Sequence, residues 1–161
     1  MAQHAVDLSD LPAIENPGKI AILKSKWYPE LNTRLADTCA GVLQAHGYAQ
    51  VERHTLPGSL ALPLAAADLL ASDIEEQIDA IVCFGIIVKG ETLHFEMITN
   101  ECMRGLGEVM RQYRRPIIVE ILPVLEIAHA QARAGEDEFN KGYEAAAAAI
   151  EMIAWRRSLL S

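Results

Sequence analysis

The chain reads as an α/β protein: a three-layer α/β/α, flavodoxin-like fold with a four-stranded parallel sheet flanked by helices. Two observations predict it. Short apolar runs alternate along the chain with segments of helical spacing, and glycine or proline punctuates most of the junctions. The resulting order, β-α-β-α-β-α-β-α-α, needs crossover connections, and these join parallel strands with helices on both faces of the sheet.

The elements follow in order. Lys19–Ser25 (KIAILKS) is a short apolar strand after Pro17 and Gly18. Residues 31–46 place Leu31, Leu35, Cys39, Val42 and Leu43 on one helical face, with Gly47 as the stop. Residues 48–56 (YAQVERHTL) read as a more polar second strand, ended by Pro57 and Gly58. Residues 61–72 are rich in alanine and leucine and predict a helix, with Pro63 tolerated in its first turn. Ile78–Val88 is the most apolar strand candidate, and residues 95–114 the next helix. Arg115 and Pro116 introduce a fourth strand over 117–122. Two helices, 125–134 and 143–160, close the chain on either side of GEDEFNKG.

At 161 residues the chain is long enough for one domain with its own core, over 19–161. Residues 1–18, acidic and broken by Pro12 and Pro17, predict a flexible or interface-dependent arm and lack the pattern of a signal peptide. A formal net charge of −8 argues against a nucleic-acid partner. No apolar run is long enough for a membrane span. Cys39, Cys83 and Cys102 have no CxxC spacing and lie in apolar-periodic segments, so they predict reduced packing cysteines in a cytoplasmic protein, with no metal site.

In open parallel sheets, ligands bind beyond the carboxyl ends of the strands. Four strand exits are therefore of interest: 25–29, 57–61, 89–94 and 123–125. The third, KGETLH, sets Gly90, Glu91 and Thr92 before a helix start, where backbone N–H groups suit a phosphate or carboxylate. His94 adds an imidazole able to exchange a proton near neutral pH. On these residues alone, an N-capping Thr92 and a surface His94 explain the stretch equally simply. Trp27, after the first strand, suits stacking on a flat heterocycle or covering the end of the sheet. Arg133 and Lys141 flank an acidic segment, and the arginine fork suits phosphate. The alanines of 145–149 make a flat helix surface for close packing within or between subunits.

These residues resemble, in order and placement, the 6,7-dimethyl-8-ribityllumazine synthase family. The matching elements are Trp27 after the first strand, Pro57-Gly58 after the second, KGETLHF after the third, and RAG and NKG in the last third. The resemblance runs from about Lys19 to Met152 and implies the flavodoxin-like fold. It also implies condensation of 5-amino-6-(ribitylamino)uracil with 3,4-dihydroxy-2-butanone 4-phosphate, with no cofactor. By the same resemblance, His94 is the proton-transfer residue and Trp27 stacks on the pyrimidine. Ser59, Leu60 and Ala61 with Ile86, Ile87 and Val88 hold the ribityl chain and the uracil edge, and Val119 occupies a substrate-facing position. Glu91 and Thr92 form the phosphate loop. Arg133 and Lys141 are the phosphate-binding cations, brought near a neighbouring subunit's crevice. The implied assembly is a homo-oligomer, a pentamer or a shell of pentamers.

The chain departs from the family pattern at PGSLA, where Leu60 replaces an aromatic and Ala61 a glutamate that binds the ribityl hydroxyls. In the fourth strand, Val119 stands in place of an aromatic and Glu120 in place of glycine. Two readings follow from these departures. Either the enzyme is retained, with Glu120 or main-chain groups in part replacing the lost carboxylate, or the scaffold serves another substrate, flavin binding or shell formation.

Overall fold

A computed structural model describes residues 3–161. Its elements are β1 (Lys19–Ser25), α1 (Pro29–Ala45), β2 (Gln50–Leu56), a 3-10 turn at Ser59–Ala61, α2 (Leu62–Ser72), β3 (Ile78–Val88) and α3 (His94–Tyr113). β4 (Ile117–Val124), α4 (Ile127–Arg133) and α5 (Lys141–Ser158) complete the chain. The sheet has four strands in the order β2-β1-β3-β4, all parallel. It is the three-layer α/β/α arrangement the sequence predicts.

Alternation along the strands divides the core into two. Ile20, Ile22, Val82, Phe84 and Leu122 face α1 and α5. Ala21, Leu23, Ile81, Cys83 and Ile121 face α2 and α3. Because β1 and β3 are covered on both faces, they read as continuous apolar runs rather than alternating ones. The alanine surface of α5 is used within the subunit: Ala145, Ala146 and Ala149 are fully buried in the α1 face of the core. Gly142 extends that close approach, since a Cβ there would lie 2.5 Å from the Leu35 carbonyl and 2.8 Å from Thr38 Cβ on α1. All three cysteines are buried and free, and burial pushes the Cys39 thiol up to about 12.

Where element boundaries differ from the sequence reading, local bonding explains the difference. β2 begins at Gln50 because the Tyr48 amide still donates to Leu43 O at 3.0 Å and closes α1. β4 continues past Leu122 because it is an edge strand, where Pro123 removes no ladder bond that a neighbour requires. α4 waits for Ile127 because Glu126 is extended. α5 starts early, at Lys141, because Asn140 Oδ1 accepts the Gly142 amide at 2.7 Å and caps the helix.

The segment 3–18 has no regular secondary structure. Leu11 and Ile14 pack on the α1–α5 side of the core, and His46 Nε2 lies 2.6 Å from Pro12 O. The first two residues of the predicted arm lie outside the described residues. Among the described residues, no helix is long and apolar enough to cross a membrane. The same residues contain no cluster of three His, Cys, Asp or Glu side chains suited to a metal.

Candidate active site

The carboxyl ends of β1, β2 and β3 converge where strand order reverses around β1, the crevice in which sheets of this kind bind ligands. β1 pairs with β3 only as far as Lys24 opposite Phe84, whereas β4 stays paired to β3 as far as Val124 opposite Val88. Gly85–Val88 therefore projects past β1 with one backbone edge left without a strand. The side chains of Ile86 and Ile87 are buried on opposite faces, so these residues offer a ligand their backbone and little else.

Two loops flank that edge. Ser59 is buried and lies directly over Gly85, where a Cβ would come 2.6 Å from Ser59 Oγ. Gly85 is thus what lets the PGS turn close onto β3. Leu60 is exposed and Ala61 half-buried, and the Ala61 amide donates to Gly58 O at 3.1 Å. Trp27 lies next to Gly58 and is 59% exposed, with Lys26 Nζ 5.2 Å from its ring centroid. Its backbone is tied down. Asn32 Nδ2 donates to Trp27 O at 2.7 Å and to Ser25 O at 3.2 Å, and the Trp27 amide donates to Ser25 Oγ at 3.2 Å. Tyr28 takes a left-handed conformation, φ 50°, to turn the chain into α1.

The KGETLH stretch forms the exposed bend before α3. Glu91, Thr92 and His94 are all exposed, and nothing lies within 4 Å of a Cβ at Gly90. The helix begins at His94, whose amide donates to Thr92 Oγ1 at 3.3 Å, and the N-cap position is held by Leu93, which supplies no side-chain cap. This leaves amides of the first turn facing outward, as an anion requires. Lys89 stands at the base of the bend, 3.7 Å from Glu96.

Arg133 and Lys141 are elsewhere. They line a separate cavity of about 450 Å³ beside the end of β4, together with Glu120, His129 and Glu144. Trp27, Ser59 and His94 do not line it. Arg133 ends α4 and donates to its own helix at His129 O, 2.9 Å away. Lys141 Nζ is paired with Glu144 at 2.6 Å. Glu120 points from β4 into the same cavity, and its carboxyl is pushed up to about 7 by burial and by Glu144, against the pull of Lys141. Val119, one residue earlier, is half-buried on the α2–α3 face. Because β4 alternates, Glu120 lies on the opposite face from Val119, toward α5.

The candidate residues thus fall in two places: Trp27, Ser59 and His94 at the exits of β1, β2 and β3, and Arg133 and Lys141 in the cavity beside β4. Leu93 and Met97, 76% and 69% exposed, add unburied apolar surface beside His94 at the start of α3. Asn32 was not singled out from the sequence. Its signal was an amide among the apolar positions Leu31, Leu35 and Cys39. The NKG motif also proves partly architectural, with Asn140 capping α5 and donating to Gly135 O at 2.7 Å, and Gly142 seating it on α1.

Fold and site together define a doubly wound α/β protein with a strand-end crevice and a detached cation pair. Comparison with known proteins makes this specific. A family model for 6,7-dimethyl-8-ribityllumazine synthase matches residues 17–157. Relatives bearing that name include one from Xanthobacter autotrophicus, 37% identical over 143 residues that cover 88% of this chain and 86% of its own. Another, from Blochmanniella pennsylvanica, is 34% identical over 151 residues, covering 92% and 94% respectively. A third, from Stenotrophomonas maltophilia, is 36% identical over 141 residues, covering 84% and 86%. The chain belongs to the 6,7-dimethyl-8-ribityllumazine synthase family, transferases of riboflavin biosynthesis.

Proposed function

We propose that the protein condenses 5-amino-6-(ribitylamino)uracil with 3,4-dihydroxy-2-butanone 4-phosphate, at sites each assembled from two subunits of a cytoplasmic homopentamer. The observation that carries this reading is the division of the site residues. His94 and Trp27 stand over the sheet, while Arg133 and Lys141 line a cavity they do not share. A neighbour's α4–α5 edge laid against the exposed Leu93 and Met97 would unite the halves and cover that apolar surface.

In this reading Trp27 stacks on the pyrimidine and the free edge of Gly85–Val88 bonds its polar rim. Glu91, Thr92 and the outward amides of α3 hold the phosphate with the neighbour's Arg133 and Lys141. The 5-amino group attacks the carbonyl and water leaves as the imine forms. Phosphate is then eliminated, and the ribitylamino nitrogen closes the ring onto the second carbonyl, releasing a second water. His94 carries protons between these steps, and orientation of two bound substrates supplies much of the remaining acceleration. The ribityl chain relies on Ser59 and main-chain groups, since Ala61 offers no acceptor side chain.

The test is subunit mixing. The wild type is expected to form lumazine from the two pure substrates, and His94→Ala and Arg133→Ala homo-oligomers are each expected to lose about 10²-fold or more in turnover. Random co-assembly of the two variants restores roughly a quarter of wild-type activity, because one arrangement of neighbours in four reunites intact halves. Mixed oligomers without recovery would refute the shared site. A wild type that assembles but makes no product would refute the reaction.

A further inference from the structure

Two cationic side chains and two carboxyl groups line the cavity beside β4, Arg133 and Lys141 against Glu120 and Glu144, and their charges cancel when Glu120 is ionised. Lys141 is already committed to Glu144 at 2.6 Å, and Arg133 is bent back onto its own helix. A pocket of zero net charge is a poor receptor for a dianion. Glu120 is the odd member of the set. It occupies a strand face otherwise made of Ile118, Leu122 and Val124, and no ion pair holds it among the described residues. Burial and Glu144 on α5 oppose its ionised form and Lys141 on α5 favours it, while α1 presents the thiol of Cys39 and α4 the ring of His129 and the Arg133 fork.

We propose that Glu120 is the counter-charge that gates this anion half-site: ionised, it neutralises the pocket and weakens its hold on a phosphoryl dianion, and protonated, it leaves the pocket net positive, so that binding an anion takes up a proton. The proposal rests on the reading of Arg133 and Lys141 as phosphate-binding groups. It adds a residue that sets when phosphate is held and when, as a product, it is let go. Burial and Glu144 push the carboxyl up to about 7, so both forms are populated near neutral pH.

Sulfate is the suitable probe, because it stays a dianion throughout while phosphate itself titrates. Calorimetric titration of the intact oligomer at pH 6 and pH 8, at matched ionic strength, should show about tenfold weaker sulfate binding at the higher pH. Glu120→Gln, nearly isosteric, should bind sulfate tightly and equally at both. His129→Gln should keep the wild-type drop, which separates Glu120 from the imidazole that shares the pocket. Arg133→Ala should abolish binding at both pH values. If sulfate binding depends on Arg133 but shows no drop, or if Glu120→Gln keeps the drop, the gate is refuted and the phosphate assignment survives. If the wild type binds no sulfate, or Arg133→Ala binds it as well as wild type, the phosphate assignment fails and the gate with it.

Discussion

At the amino ends of the strands, charged side chains are bound to one another; at the exit of β3 most polar side chains stand in solvent. Asp73 accepts the amides of Gln77 at 3.0 Å and Ile78 at 2.8 Å, and its carboxylate pairs with Arg115, which also donates to Ile78 O at 2.8 Å. Asp79 takes the Tyr48 hydroxyl at 2.9 Å, the Gly18 amide at 2.9 Å and Arg157 at 3.0 Å, tying α5 and the start of β1 to β3. At the other end Glu91, Thr92 and His94 stand in solvent, and Gly85–Val88 carries an unpaired edge. The difference separates two jobs. Charges satisfied internally hold the sheet together, and groups without internal partners are available to substrate.

The sharpest test exchanges the two jobs. Asp73→Ala removes a carboxylate that is almost wholly buried, leaves the amides of Gln77 and Ile78 without their acceptor and takes one of two ion pairs from Arg115, at a cost of about 3 kcal/mol in unfolding free energy. Turnover per folded molecule should not change. His94→Ala should do the reverse, losing turnover with an unmoved denaturation midpoint, because its side chain is exposed. Denaturant titration beside the activity assay checks both. A destabilised His94→Ala or an inactive, well-folded Asp73→Ala would erase the division between the two ends.

Glu120 lies between the two regimes, neither paired nor free, and its effect should be smaller. Its folded-state pKa of about 7 lies above the ordinary carboxylate value of 4.5. Between those values the folded protein holds a proton that the unfolded chain releases, so stability falls as pH rises through that window and levels off above it. Ionised Glu120 then costs on the order of 2 kcal/mol at pH 8, after allowance for its partial exposure. Glu120→Gln should therefore be more stable than wild type at pH 8 and nearly equal to it at pH 4.5. A variant that follows the wild-type pH profile would show that the carboxyl ionises without strain.

The fold was legible where a local signal and a tertiary requirement coincided. Ile78–Val88 matched the sequence reading at both ends because a strand buried on both faces is a nearly continuous apolar run, interrupted here by Asp79. Boundaries drifted where a single side chain decided them, as Asn140 did for α5. The candidate site was legible as a set of residue types at strand exits, since each signal is local. Its division was not, because it depends on which face of β4 a residue occupies. Two positions, Val119 and Glu120, fall on opposite sides of the sheet. Glu120 also meets Lys141 and Glu144 only through the packing of α5, which no local pattern reveals.

Asn32 offers the smallest and most local test of the contrast, because it carries the amino-end style of bonding to the edge of the site. The side chain is fully buried, and its amide spans the carbonyls of Ser25 and Trp27. Its own Oδ1 has no partner among the described residues, so its net contribution to stability is modest, about 1 kcal/mol for Asn32→Ala. What it fixes is the ring of Trp27, held over Gly58 by a backbone that cannot drift. A merely structural residue would lower stability and affect both substrates alike. A positioning residue raises KM for the pyrimidine severalfold and leaves sulfate binding in the Arg133 pocket untouched. In a Trp155→Phe background, where Trp27 is the single remaining indole, Asn32→Ala should also broaden the emission anisotropy decay of that ring. Equal loss of affinity in both halves, with an unchanged decay, would return Asn32 to the ranks of ordinary core amides and leave Trp27 to be positioned by Gly58 alone.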